Sequence, residues 1–497
     1  MTVDPQDFTK RLTALERISR TLEVDASRRT AWRQAVVDFS ESFLEDLAHL
    51  PAYGKPEGPG DPAGELAIVE SPTPLPKLLE TFQRQVLDLH LNPASPRFFG
   101  YIPGGGIYPA SLGDFLAAVT NRYSGVFFAS PGAARIEDGI VRWIANILGY
   151  PDTAGGTLTS GGSLANLSAV VTAREEVPFD QRGRAVVYMS SEVHHSMVKA
   201  LRIAGMGGAV FREVPIDDRF RMMPAELVKQ VESDRAEGLL PWLLVSSAGT
   251  TNTGSIDPLN DLSDVAERFG LWHHIDAAYG GFFVLWDEGR KALAGIDRGD
   301  SITVDPHKGL FLPYGCGCVL VRDHRKLRDT HSEAADYMQD TYTPPDEVSP
   351  ADYSPELTRH FRGLRLWLPL RLVGIEPFRA GLEEKVLLAR WFYRELQGMD
   401  EFECGPYPEL SVVAFRYRPK NDDAADVERL NEVNLDLAKR LRTEGNVFLS
   451  TTKLASPSIG PGAVYLRLAV LCLRSHLEHV QEVVDLLKRF TTGGQGE

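Results

Sequence analysis

Apolar and polar positions change their period twice along the chain. Arg28–Leu50 ("RRTAWRQAVVDFSESFLEDLAHL") carries apolar residues at helical spacing, as does "LPKLLETFQRQVLDLHL" from Leu75. Between them Pro51–Glu65 is rich in Pro and Gly and reads as a surface linker. From about Tyr108 to Gly374 short strand-like runs alternate with helical spacers: "AVVYMSS", "WLLVSSAGT", "LWHHIDAA", "SITVDP" and "CGCVLVRD". That alternation predicts an α/β fold with a mostly parallel central sheet covered on both faces. Further on, "LSVVAFRYRP" and "AVYLRLAVLCLRS" read as strands, and "HLEHVQEVVDLLKRF" as a closing helix. The pattern therefore predicts a helical N-terminal segment over 1–107, a large α/β domain over 108–375 and a small α+β C-terminal domain over 376–497. The tail "TTGGQGE" is expected to be disordered.

Composition narrows the classes. A chain of 497 residues suits two or three domains, and 43% hydrophobic with 24% charged residues is ordinary for a globular protein. The net charge of −15 disfavours nucleic acid and anionic membranes as partners, since both need basic patches. No stretch reaches the ~18 apolar residues of a membrane span, and "MTVDPQDFTKR" lacks a signal-peptide pattern. The four cysteines (Cys316, Cys318, Cys404 and Cys472) are too few for a disulfide framework, so a reducing cytoplasm is expected. Cys-Gly-Cys is not the usual zinc or redox spacing, no His-Glu-x-x-His occurs, and no metal is expected.

In a parallel α/β sheet ligands sit at the carboxyl ends of the strands, and five polar clusters fall at such ends. "TLTSGGSLANL" (Thr157–Leu167) ends a β-branched run in Ser-Gly-Gly-Ser before a helix. Gly162 and Ser163 there can cup a phosphate with backbone N–H groups at the positive helix end; the same stretch reads equally as a glycine turn with Ser163 as N-cap. It is neither a P-loop nor a Gly-x-Gly-x-x-Gly fingerprint. "HHSMVKA" places His194 just past a strand, where an imidazole can stack on a flat ring or move protons. "SSAGTTNTGSIDPL", with Thr251, is a hydroxyl-rich turn that by itself is only a polar loop. "HIDAAYGG" sets Asp276 at an apolar strand end, where a carboxylate needs a partner such as a protonated ring nitrogen; a salt bridge would also serve. "DPHKG" brings Lys308 to the end of the next strand, 32 positions after Asp276. A lysine there alone is a solvated loop residue. A phosphate cup, a stacking ring, a carboxylate for a pyridinium and a lysine amine together match what pyridoxal 5′-phosphate requires.

These motifs, with "FFGYIPGGGIYPA", resemble the group II pyridoxal-phosphate-dependent amino-acid decarboxylases, which include the aromatic-L-amino-acid, tyrosine, histidine and glutamate decarboxylases. The resemblance runs from about Leu79 to the C-terminal helix. It implies the fold type I architecture, similar to aspartate aminotransferase, a homodimer and a small-molecule amino-acid substrate. Carried over residue by residue, it implies that Lys308 forms the cofactor imine and Asp276 pairs with the pyridine nitrogen, with Ala278 and His194 on the two ring faces. Gly162, Ser163, His307 and Asp305 would hold the phosphate, and Thr251 would lie near ring and substrate. Tyr337 would protonate the quinonoid carbon, His194 would share in that control, and Tyr101 and Pro103 would face the substrate. The implied reaction is decarboxylation of an L-amino acid, aromatic by family closeness and the run "YSGVFFASP". The alternatives are a non-aromatic substrate, an oxygen-dependent aldehyde synthase, and a cofactor-binding homologue without turnover. Two positions depart from the family pattern: Ala134-Arg135 stand where a Thr-Glu pair is common, and Gly309 where Trp is.

Overall fold

The computed structural model describes residues 5–54, 62–333, 343–344, 346–419, 426–456 and 460–492. The chain divides into two compact units, Met1–Asn92 and Pro93–Glu497. In the first, helices α1 (Pro5–Ser19), α2 (Ala26–Asp46) and α3 (Leu75–Phe82) follow the helical spacing of the sequence. Asp25 caps α2 by accepting from the Arg28 N–H at 2.9 Å. The expected linker and the expected disordered tail lie partly outside the described residues.

The second unit opens with β1 (Phe98–Phe99) and helices α4 (Tyr108–Thr120) and α5 (Pro131–Leu148). Its large sheet is built from β2 (Gly155–Thr159), β3 (Ala185–Met189), β4 (Val210–Glu213), β5 (Leu240–Ser247), β6 (Trp272–Asp276), β7 (Ser301–Val304) and β8 (Gly317–Val321). In space these run β2-β8-β7-β6-β5-β3-β4. The four contacts from β4 to β7 are parallel, while β8 is antiparallel to both β7 and β2. Strands β3, β6, β7 and β8 are buried at every residue, which is why they read as unbroken apolar runs rather than alternating ones. The helices between strands supply the cover: α6 (Gly162–Arg174) and α7 (Ser196–Ile203) through Ala169, Val170, Met197 and Leu201, and α8 (Pro224–Ala236) and α9 (Leu259–Phe269) through Leu227, Val231, Leu262 and Phe269.

The small sheet orders β9 (Phe402–Cys404), β10 (Val412–Tyr417), β12 (Gly460–Ala469), β11 (Phe448–Ser456) and β1. Its strands are antiparallel except β1, which lies parallel to β11 with Phe98 opposite Phe448 and Phe99 opposite Leu449. That pairing draws residues 93–107 into the second unit, so the N-terminal unit ends earlier than the helical pattern suggests. Helices α10 (Glu376–Gln397), α11 (Val427–Thr443) and α12 (Leu477–Thr492) close a core of Phe392, Phe415, Leu441, Leu466 and Leu487. Among the described residues no helix is long and apolar enough to cross a membrane.

Candidate active site

Strands β5, β6 and β7 end together, and a cavity of about 370 Å³ lies at their carboxyl ends. The turn from β2 into α6 contributes residues 160–164 and Asn166 to its wall, and the turn after β3 contributes Glu192, His194 and Ser196. Ser247 ends β5 and 249–251 follow it, Asp276 ends β6 with Ala278 and Tyr279 after it, and Asp305, His307 and Lys308 follow β7, with Tyr314 and Gly315 beyond. All nine cofactor residues expected from the sequence, from Gly162 to Lys308, thus face one space. Tyr101 and Pro103 do not line it. The Tyr101 ring lies 6.2 Å from Phe98 and 5.9 Å from Phe448, and Pro103 is buried. Tyr337 lies outside the described residues.

The charged centre is compact. Lys308 Nζ is 3.1 Å from Asp305 Oδ2, and Asp305 is 2% exposed. Asp305 also stands 3.8 Å from His307 Nε2. His307 Nδ1 donates to the Cys316 carbonyl at 2.6 Å, which assigns its proton to Nδ1, and burial keeps this imidazole below its ordinary pKa. Asp276 accepts from Asn166 Nδ2 at 3.0 Å through Oδ2 and from the Ala278 N–H at 3.1 Å through Oδ1. Each carboxylate oxygen keeps capacity for a further donor. His194 is depressed below the usual histidine range by burial, and Glu192 is raised by burial. Glu192 accepts from Asn252 Nδ2 at 3.1 Å, and Asn252 Oδ1 accepts from Thr452 on β11.

Backbone geometry fits these residues to an anionic, ring-bearing group. At Gly162 a Cβ would come within 2.9 Å of Asp305 Oδ2 and 3.3 Å of the Ala278 methyl, so only glycine allows α6 to start this close. The start of this 13-residue helix, Gly162 and Ser163, lines the cavity, and the first N–H groups of a helix have no intrahelical partner. Asp305 Oδ1 is buried with no hydrogen-bond partner among the described residues, an open acceptor beside the lysine amine. The carboxylate of Asp276, the amine of Lys308 and the glycine-led helix start are the donor and acceptor set that pyridoxal phosphate requires.

The two departures from the family pattern resolve differently. Gly309 is buried and does not line the cavity; a Cβ on it would meet Phe282 Cβ at 2.8 Å. Phe282 is 1% exposed, so it occupies the space a side chain at 309 would need. Arg135 turns outward, pairing with Glu347 at 2.6 Å and lying over the Phe127 ring. Asn166, Ser196, Glu192 and Tyr314 also line the cavity and are not among the residues expected from the sequence. Asn166 carried the clearest signal, one helical turn after Gly162 and so on the same face of α6.

Residues 59–418 match the pyridoxal-dependent decarboxylase conserved domain, and the chain belongs to that family. It is 33% identical over 423 residues to the aromatic-L-amino-acid decarboxylase of Bacillus atrophaeus, covering 85% of this chain and 86% of that one. It is 28% identical over 479 residues to the phenylacetaldehyde synthase of Petunia hybrida, covering 92% and 93%. Among solved structures, that of Oryza sativa TDC with PLP and tryptamine superposes with a TM-score of 0.88 at 28% identity, covering 95% of this chain and 99% of that one. The fold is therefore the fold type I architecture, the cofactor is pyridoxal 5′-phosphate, and the protein is a pyridoxal-phosphate-dependent carboxy-lyase acting on an amino acid.

Proposed function

We propose that the substrate is an aromatic L-amino acid, released as the amine and CO₂. The observation that supports this reading is the convergence of Lys308, Asp276 and the start of α6 on one cavity, in a chain one-third identical to an aromatic-L-amino-acid decarboxylase. When bound, pyridoxal phosphate supplies an electron-accepting ring for the pair left behind as the carboxylate departs. In this reading the residues of the chain hold and orient. Lys308 would hold the cofactor through its amine and release it to the substrate amine. Asp276, backed by Asn166 and the Ala278 N–H, would keep a proton on the ring nitrogen. Gly162, Ser163 and His307, with Asp305 behind them, hold the phosphate at the helix end. The Ala278 methyl would pack against one face of the bound cofactor ring, and His194 would stack on the other. Thr251, on a turn fixed by the Thr250 N–H to Ser255 carbonyl bond of 2.8 Å, borders ring and substrate. Tyr101 and Pro103 are assigned to the substrate side of a pocket that a second subunit completes. The working form is a homodimer in the cytoplasm.

A second reading has specific support. A relative of 28% identity is named for phenylacetaldehyde synthesis, so aldehyde formation on this scaffold is tested beside amine formation. Purified protein is given each L-amino acid, and CO₂, amine, aldehyde and ammonia are measured. Amine from aromatic substrates is the expected product. Aldehyde with ammonia selects the second reading, and turnover confined to non-aromatic substrates defeats the substrate proposal. Lys308→Ala is expected to lose the visible absorbance of bound cofactor and roughly 10⁴-fold in rate. Cofactor binding without turnover of any amino acid would leave a binding protein.

A further inference from the structure

Behind the cavity wall runs a chain of buried hydrogen bonds whose direction can be worked out group by group. Trp272 Nε1 donates to Ser301 Oγ at 2.8 Å, and an indole N–H can only donate. The single hydroxyl proton of Ser301 is then directed to its other partner, His274 Nδ1 at 2.9 Å. His274 is buried and pushed down to about 4 by that burial, so at neutral pH it carries one proton. With Nδ1 accepting, that proton is on Nε2, which donates to Asn166 Oδ1 at 3.1 Å. The amide of Asn166 is thereby oriented, and its two Nδ2 protons go to Asp276 Oδ2 and to Ser196 Oγ, each at 3.0 Å. A carboxylate can only accept, so Asp276 fixes the same orientation from the other side. Ser196 Oγ accepts from Asn166 and passes its own proton to His194 Nδ1 at 2.8 Å. The backbone N–H of Ser196 reaches the same Nδ1 at 3.3 Å and also can only donate.

We infer that this relay holds His194 as the neutral tautomer with its proton on Nε2, and that Asn166 is the positioning residue that sets it. The inference rests on the placing of His194 beside the cofactor. It deepens that reading by giving the imidazole a defined polarity. His194 offers a hydrogen-bond donor, and not a base, to whatever occupies the cavity. One amide thus serves both sides of the site: it supports the Asp276 carboxylate and, through Ser196, directs the proton of His194. The charged and titratable groups around His194 are Glu192 and His195 on its own turn, Asp276 at the end of β6, and Asp305 and Lys308 after β7. Protonating Nδ1 would turn the Ser196 hydroxyl away and set N–H against N–H.

Neutron diffraction from crystals of the deuterium-exchanged holoenzyme tests the tautomer directly. Deuterium on His194 Nε2 alone is expected, and deuterium on Nδ1 overturns the inference even if no variant folds. Asn166→Leu keeps the branched side-chain skeleton and removes the relay. The Asn166 N–H then no longer competes for Ser196 Oγ, so the hydroxyl turns more readily to accept from an Nδ1–H and the imidazolium becomes easier to form. The acid limb of the kcat/KM profile, read on the cofactor-loaded fraction, is expected to move up by about one pH unit. An unmoved limb overturns the positioning role of Asn166. Failure of the underlying placing is seen separately: His194→Gln at full activity removes His194 from the reaction, while the neutron map still reports its tautomer.

Discussion

At the scale of single residues, the chemistry was legible wherever a side chain has few other reasons to be where it is. Lys308 and Asp276 could be read because a lysine and a carboxylate at successive strand ends need partners, and both line the cavity. Asn166 and His274 were not read, because their importance lies in which way they face. Trp272, His274 and Asp276 alternate along β6 and so share one side of the sheet, a period-two signal that the apolar run concealed. Gly309 is the opposite case. It marks a departure from the family pattern, yet it faces Phe282 and not the cavity. Because the opposing atom is Phe282 Cβ, fixed to the backbone, the neighbour cannot swing aside. Gly309→Ala is expected to overpack this contact and cost about 1–3 kcal/mol, seen as a lower Tm, while the order of preference among amino acids stays the same. An unchanged Tm with an altered preference would show instead that position 309 borders the substrate.

At the scale of elements, burial on both faces made the strands of the large sheet easy to find, but it carries no sign of direction. The antiparallel insertion of β8 between β7 and β2 has no mark in the sequence. The edge strand β4 escaped notice because none of its four residues is buried. Strand β6 also sets an acid limit on stability. Its two adjacent histidines point to opposite faces and both are buried, with His273 pushed down to about 3 and His274 to about 4 by desolvation. His273 links β5 to α9 through Ser246 Oγ at 2.8 Å and Ser263 Oγ at 3.2 Å. A base depressed in the folded state is protonated more readily when unfolded. Its stabilising contribution is therefore whole above about pH 6.5 and is lost as pH falls toward the folded value. Asp257, pushed up to about 6 by burial, acts in the other direction over part of this range, so the total slope is a balance. A variant isolates the histidine. Relative to the parent, His273→Gln is expected to gain up to about 1.4 kcal/mol per pH unit between pH 6 and 4 in chemical denaturation. Parallel stability profiles would refute the assignment.

At the scale of the whole molecule, the feature still unaccounted for is the apolar face of the N-terminal unit. Phe8, Leu12, Leu15 and Ile18 on α1, with Leu22 just beyond, recur at three- and four-residue steps, so they form one stripe. Each is at least 54% exposed, whereas a helix stripe this regular ordinarily packs on something. The chain carries a net charge of −15, which keeps copies apart in solution unless an apolar contact of this kind outweighs the repulsion. The same stripe on a second copy is a self-complementary cover, as a two-fold dimer requires. The proposed homodimer therefore predicts a particular failure. Leu12→Glu combined with Leu15→Glu would change little in a chain that works alone, since exposed substitutions shift stability by about 0.5 kcal/mol or less. In a dimer sealed by α1 the same pair forces like charges into the seam, where they cannot be solvated. Light scattering coupled to size exclusion is expected to give twice the chain mass for the parent and the single chain mass for the variant. If the second subunit also completes the substrate pocket, the variant loses turnover and recovers part of it as protein concentration rises, because association is driven by mass action. A variant that keeps both the doubled mass and full activity would place the dimer contact elsewhere and leave the α1 stripe without this role.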